Sequence, residues 1–321
     1  MKFQTFAQFI FGPILLGMFL VINIPQTNAQ TFESLPVLHG DTVVFPIKLV
    51  NAYPFISGTV NGVTGKFMFD TGSSNSIALN DNVLSFPEKK VTGSGVVGSG
   101  QTYKASTIDT VKKITFNNGL VYKNLEKIHS ANYNFVENIT PDFIGYIGYK
   151  FFEGYTFKLD YIHKKVTFYK NTPQRELNKD FLTNEKVLSI IDFDTRRLPN
   201  HPLIKFKIGN TEILGAFDTG QNGLLQVSDN TQKVLSSERL ITQSGVDGAG
   251  DTILTVKNVL IGEQLKIDLK GIEQEEAENI KVIRKELEIP EPDLMTFGYR
   301  FLSLYKTVWD FDAKKIYILE Y

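Results

Sequence analysis

The feature that most constrains this chain is that it is written twice. Phe69-Asp70-Thr71-Gly72 recurs as Phe217-Asp218-Thr219-Gly220, 148 residues later. The same offset of 148 relates Pro54-Phe55-Ile56 to Pro202-Leu203-Ile204. An offset of 150 relates Gly95-Val96-Val97-Gly98-Ser99-Gly100 to Gly245-Val246-Asp247-Gly248-Ala249-Gly250, and Gly148-Tyr149-Lys150-Phe151-Phe152 to Gly298-Tyr299-Arg300-Phe301-Leu302. The endings agree as well, Asp160-Tyr161 and Lys164-Lys165-Val166 against Asp310-Phe311 and Lys314-Lys315-Ile316. Collinear matches at a near-constant spacing predict two copies of one domain of about 130 residues. The lobes are expected over 40–170 and 191–321, with a linker over 171–190 whose Asn171 to Glu185 is polar and without periodicity.

Within each copy the pattern is that of strands. Thr42–Val50, Ile56–Asn61, Lys66–Asp70, Ile114–Phe116 and Thr156–Tyr161 are rich in β-branched and aromatic residues and bounded by Gly, Asn or Pro. Copy two repeats them at Leu203–Ile208, Ile213–Asp218, Thr252–Ile261 and Lys306–Phe311. Asn118-Gly119 predicts a tight hairpin turn, with Gly262 at the matching turn of copy two. One segment, Glu273–Glu288, is helical in composition, with Ile280, Ile283 and Leu287 on one stripe. Tyr149–Glu153 and Tyr299–Ser303 read as single helical turns. The expected fold class is all-β, mostly antiparallel and bilobal, its duplicated domains related by a pseudo-two-fold axis.

The repeated Asp-Thr-Gly is where the sequence carries chemistry. One such tripeptide reads as an Asx turn closing a strand. Two at equivalent positions of a duplicated domain come face to face when the domains pack about a two-fold axis. Carboxylates that close cannot both ionise readily, so the pair keeps a shared proton and offers a general acid and a general base in one site.

With Tyr146-Ile147-Gly148 and Thr296-Phe297-Gly298 later in each half, the doubled Phe-Asp-Thr-Gly resembles the pepsin/retropepsin class of aspartic proteases. The short lobes and the Gly-Tyr-x-Phe-Phe/Leu endings resemble bacterial retropepsin-like proteins fused in tandem. The resemblance implies the bilobal acid-protease fold and an aspartic endopeptidase, a hydrolase in which Asp70 and Asp218 activate a water for attack on a peptide carbonyl. It also implies that Thr71 and Thr219 hydrogen-bond across the axis, and that Gly72 and Gly220 admit backbone amides to the carboxylates. Ser73 would support Asp70 through its hydroxyl, and Gly148 and Gly298 would let a neighbouring segment thread past each loop. Copy two departs from the pattern, with Gln221-Asn222-Gly223 in place of Ser73-Ser74-Asn75. That departure leaves open an alternative, a peptide-binding module that kept the cleft and lost turnover.

Gly93-Ser94-Gly95-Val96-Val97-Gly98 matches a dinucleotide fingerprint only in form, since no strand–turn–helix unit surrounds it. The glycine-rich stretches are expected instead as flap hairpins over substrate, using Gly95, Gly98 and Gly100 in copy one and Gly245, Gly248 and Gly250 in copy two. Tyr103, just beyond the first, reads as packing in a β run and is left outside the site.

Composition excludes several other chemistries. The 321 residues include no cysteine, which removes disulfides, Cys-ligated zinc and thiol catalysis. The 4 histidines are scattered without metal-binding spacing, so neither a metal nor a cofactor is expected. Lys+Arg of 34 against Asp+Glu of 35 leaves no electrostatic footprint for nucleic acid. The expected partner is an extended polypeptide substrate, and a chain carrying both halves is expected to act as a monomer. Residues 1–29 have the marks of a secretory signal peptide: Lys2, an apolar run from Phe9 to Ile24, and Thr27-Asn28-Ala29 ahead of a cleavage site. No second apolar stretch approaches spanning length. The mature protein is therefore expected to be exported, periplasmic or secreted from a bacterium, and not membrane-bound. Gln30 to Asp41 is too short for an inhibitory prosegment.

Overall fold

A computed structural model describes residues 35–97, 100–247, 250–273 and 278–321. The expected signal segment, residues 1–29, and the flap glycines Gly98 and Gly248 lie outside the described residues.

Each copy contributes ten strands in the same order. In copy one they are β1 (Thr42–Val50), β2 (Tyr53–Val60), β3 (Val63–Phe69), β4 (Ile77–Asn80), β5 (Lys89–Val96), β6 (Thr102–Phe116), β7 (Val121–Ala131), β8 (Phe143–Ile147), β9 (Tyr155–Asp160) and β10 (Lys165–Lys170). Copy two supplies β11 (Val187–Asp192), β12 (Leu203–Ile208), β13 (Thr211–Phe217), β14 (Leu224–Gln226), β15 (Ile241–Val246), β16 (Thr252–Ile261), β17 (Leu265–Glu273), β18 (Leu294–Phe297), β19 (Lys306–Asp310) and β20 (Lys315–Leu319). Period-two patterning places them: in β1, Val43, Phe45 and Ile47 point inward and the residues between them outward. The Asn118-Gly119 turn joins β6 to β7, with the Gly119 N–H donating to Phe116 O at 3.0 Å.

The fold is all-β and bilobal, and the duplication extends to topology. Seven strands of each copy form a lobe sheet, in the order β2-β3-β8-β4-β7-β6-β5 and β12-β13-β18-β14-β17-β16-β15. The remaining three of each copy join in a six-stranded antiparallel sheet, β11-β20-β19-β9-β10-β1. At its centre β9 meets β19 with Val308 opposite Lys158, flanked by Thr307 opposite Leu159 and Trp309 opposite Phe157. Residue 308 is the repeat partner of residue 158, so the pseudo-two-fold axis passes through that pair.

The parallel parts of the lobe sheets position the Asp-Thr-Gly loops. β3 runs parallel to β8 with Phe69 opposite Ile147, and β13 runs parallel to β18 with Phe217 opposite Phe297. The chain passes from these buried phenylalanines straight into Asp70 and Asp218, whose N–H groups donate to Ile147 O at 3.0 Å and Phe297 O at 3.2 Å. One aromatic core lies beneath both loops. Phe157 stacks on Trp309 at 5.3 Å, Phe217 stacks on Phe297 at 4.9 Å, and all four side chains are buried. A close-packed interior transmits position rather than absorbing it, so each loop is held relative to the other.

Two regions depart from expectation. After the helical turn α1 (Tyr149–Phe152), the stretch 171–190 is not a structureless linker: it forms helix α2 (Pro173–Asn178), the 3₁₀ turn Asp180–Leu182 and the start of β11. Thr172 caps α2 by accepting from the Arg175 N–H at 3.2 Å, with Pro173 in the first turn. Buried Arg175 then donates to Asp41 Oδ2 at 2.9 Å, Asp180 Oδ1 at 2.8 Å and Lys170 O at 2.8 Å, so the polarity that suggests a loop is internal pairing. Copy two has helix α3 (Asp229–Ser237), which has no counterpart among the described residues of copy one, and its expected helix is α4 (Glu278–Glu286), since Glu273 still pairs within the sheet. The last helical turn is α5 (Tyr299–Leu302). No helix among the described residues is long and apolar enough to cross a membrane.

Candidate active site

The structure brings Asp70 and Asp218 together. A single N–H, that of Gly72, donates to Asp70 Oδ1 at 2.8 Å and to Asp218 Oδ1 at 3.2 Å. Asp70 Oδ1 also accepts from the Ser73 N–H at 3.2 Å, and Asp218 Oδ1 from the Gly220 N–H at 2.8 Å. Burial, and then the adjacent Asp218 carboxyl with which it shares a hydrogen bond, pushes Asp70 well above the ordinary carboxylate range. Beside Asp218, that raised carboxyl favours its neutral form.

The threonines interlock across the axis. Thr71 N–H donates to Thr219 Oγ1 at 3.0 Å, Thr219 N–H donates to Thr71 Oγ1 at 3.0 Å, and the Thr219 hydroxyl donates on to Phe69 O at 2.8 Å. Both side chains are fully buried. The glycines are required by contact: a Cβ on Gly72 would lie 2.5 Å from Asp218 Oδ2, and one on Gly220 would lie 2.5 Å from Asp70 Oδ1. A Cβ on Gly148 would lie 2.5 Å from Ser73 O, and one on Gly298 would run into the Gln221 carbonyl. Each of these segments therefore threads closely past its loop, the Tyr149 N–H donating to Ser73 O at 2.8 Å and the Tyr299 N–H to Gln221 O at 2.9 Å.

Ser73 differs from its expected role, since it reaches Asp70 through its backbone N–H rather than its hydroxyl. Gln221 lines the cleft, and no hydrogen bond described for it joins its side chain to Asp218.

The dyad lies at the floor of a cleft of about 730 Å³. Copy one lines it with Tyr53, Met68, Tyr103, Tyr133 and Tyr146, copy two with Leu224, Ile280, Ile283 and Leu287. Burial first and then the Asp70 charge raises the Tyr146 phenol; burial and then Asp218, Asp247 and Asp70 raise Tyr53. Both therefore remain neutral hydroxyls beside the carboxylates. Gly95, Val96, Val97 and Gln101 of the β5–β6 hairpin line the cleft, and Gly100 closes its tip at φ +90°. Gly245 and Gly250 of the β15–β16 hairpin are not among the lining residues, although Asp247 of that hairpin acts on the phenol of the cleft residue Tyr53.

Some site residues escape a reading of the sequence. Tyr103 fills the space that the missing side chain of Gly95 leaves, and its ring meets that of Tyr133 at 5.1 Å. The α4 stripe proves to be a cleft wall, because periodicity gives a face and not what it faces. Between β11 and β12, Asn200 donates through Nδ2 to Thr71 O and Gly72 O, both at 2.9 Å, and His201 Nε2 lies 3.3 Å from Gly72 O. The available signal was a break in the repeat: copy one has Ala52-Tyr53 where copy two has Asn200-His201 ahead of the shared proline.

No family model matches the chain, and no curated protein matches it. Among solved structures it is similar to basic 7S globulin from soybean, with a TM-score of 0.48 and 9% sequence identity, over 87% of this chain and 95% of that one. These findings correct the family resemblance drawn from the motifs. No family model supports membership of the pepsin/retropepsin class or of the tandem bacterial retropepsin-like proteins, and that assignment is withdrawn.

Proposed function

We propose that this protein is an aspartic-type endopeptidase that hydrolyses peptide bonds with a water held by Asp70 and Asp218. The observation that carries the reading is the single Gly72 N–H shared by two carboxylates, with Asp70 pushed up by burial and by its neighbour, at the floor of a cleft lined from both lobes. A paired acid and base on one water suits addition to an unactivated carbonyl. The water oxygen attacks the carbonyl carbon as the ionised carboxyl of the pair takes its proton and the other carboxyl gives its proton to the carbonyl oxygen. Collapse of the resulting diol breaks the C–N bond, with proton transfer to the departing nitrogen. The apolar walls and the β5–β6 hairpin suit an extended peptide paired along a strand edge.

The test is cleavage of a diverse peptide library by the purified protein across pH 3–8, beside Asp70→Asn and Asp218→Asn. Loss of cutting in both variants, with their folds intact, is the expected result. A folded wild type that cuts nothing at any pH, yet binds peptides in the cleft, would replace the enzyme reading with the binding-module one.

A further inference from the structure

We propose that Asn200 is a positioning residue for the Asp70 carboxylate, acting through the two peptide units whose N–H groups hold it. The carbonyls that Asn200 ties together, Thr71 O and Gly72 O, belong to the peptide units whose opposite ends are the Gly72 and Ser73 N–H groups. Those are the two N–H groups that donate to Asp70 Oδ1, at 2.8 and 3.2 Å. The chain Asn200 N–H to carbonyl, then peptide N–H to carboxylate, therefore runs twice in parallel from one carboxamide. A hydrogen bond accepted at a carbonyl polarises its peptide and strengthens the N–H at the other end, and the pair of bonds fixes both peptide planes. The orientation of the amide follows from chemistry, since both partners are carbonyl oxygens that only accept, so the NH₂ must face them.

Two further observations point to a role beyond packing. Asn200 is fully buried and its Oδ1 finds no hydrogen-bond partner among the described residues. An unpaired buried acceptor costs about as much as a hydrogen bond contributes, so this side chain is a poor choice for stability alone. The device is also one-sided. The residue 148 positions earlier is Ala52, in the turn between β1 and β2, and a methyl group donates nothing. Asp70 is thus braced from the opposite lobe, in a site otherwise close to two-fold.

The purpose of the brace rests on the endopeptidase reading; its physical effect on Asp70 does not. The ionisable groups about Asp70 are Asp218 from the facing loop, Tyr53 on β2, Tyr146 on β8 and His201 beside Asn200. The experiment compares wild type, Asn200→Ala and Asn200→Ser by pH-rate profiles and by carbon-13 titration of the Asp70 carboxyl, assigned by its absence in Asp70→Asn. For Asn200→Ala we expect kcat to fall about tenfold or more with KM little changed. Its basic limb, set by ionisation of the raised Asp70, should move upward in pH, because weaker donors hold the ionised form less well. Asn200→Ser, which keeps one donor, should lie between, and it carries the comparison if the alanine variant does not fold. A loss of activity that tracks the folded fraction, with the limb in place, overturns the proposal. If wild type proves inert, the endopeptidase reading fails separately, and the titration still decides: an upward move of Asp70 in the variants supports the brace and an unmoved one overturns it.

Discussion

Asp70 is held by the fold in a state that costs stability when ionised, and the sign of that cost can be worked out. Its carboxyl is raised in the folded protein by burial and by Asp218. The folded state therefore binds more protons than the unfolded chain between the two pKa values, and stability falls as pH rises through that window. Replacing Asp70 with Asn removes the penalty. Calorimetry should find Asp70→Asn a few degrees more stable than wild type at pH 7, the gain shrinking to nothing below about pH 4, where the carboxyl is neutral in both states. A gain that persists unchanged at low pH would show a different origin. Gly72 makes the complementary case, because a methyl there would lie 2.5 Å from Asp218 Oδ2 and drive the carboxyls apart. Gly72→Ala should fold and lose roughly a hundredfold or more in kcat/KM, since displacements of about 1 Å at reacting groups have that effect. At this scale the dyad, the threonines and the glycines were legible because the repeat printed each of them twice. Asn200 was not, because it occurs once and acts on the other copy.

Helix α4 and the loop between β11 and β12 behave as one wall of the cleft. Arg196 forks onto the Glu291 carboxylate, with Nη1 to Oε2 at 2.7 Å and Nη2 to Oε1, and it also holds Glu288 O; Arg197 donates to Glu286 O at 2.9 Å. The same loop carries Leu198 and His201 to the cleft and Asn200 to the Asp70 loop. Arg196→Ala should loosen α4 without touching the dyad. We expect KM for a cleaved peptide to rise about fivefold, the factor that about 1 kcal/mol gives for a partly exposed ion pair, with kcat little changed. A fall in kcat alone would count against a wall role. The Arg196 guanidinium holds Glu291 below the ordinary carboxylate range. The pair therefore contributes above the unfolded pKa of glutamate, and the difference between variant and wild type should fade as pH drops through the lowered value. The Ile280, Ile283 and Leu287 stripe announced a helix here, and the structure supplies what the stripe faces.

For the molecule as a whole, a duplicated sequence invites a picture of two domains that fold separately, and the six-stranded sheet contradicts it. Strands β9 and β19 pair across the axis, and Trp309, the sole tryptophan, is fully buried and stacked on Phe157 of the other copy. Strand patterning is local, so the sequence marked five of the ten strands in copy one and four of the ten in copy two. It carried no information on which strand of one copy meets which of the other, because an edge buried between copies has the same alternation as one buried within a lobe. The lobes should accordingly unfold as one unit. Heating followed by Trp309 fluorescence, far-ultraviolet dichroism and amide exchange in β3 and β13 should give coincident transitions. Trp309→Ala should cost about 3–5 kcal/mol and lower protection in both lobes together, including the two Asp-Thr-Gly loops that rest on the same aromatic core. If only one lobe loses protection, the central sheet is a contact between independent domains. The alignment of the dyad would then depend on the Thr71–Thr219 interlock alone, and a Thr219→Val variant should separate the carboxylates while leaving each lobe folded.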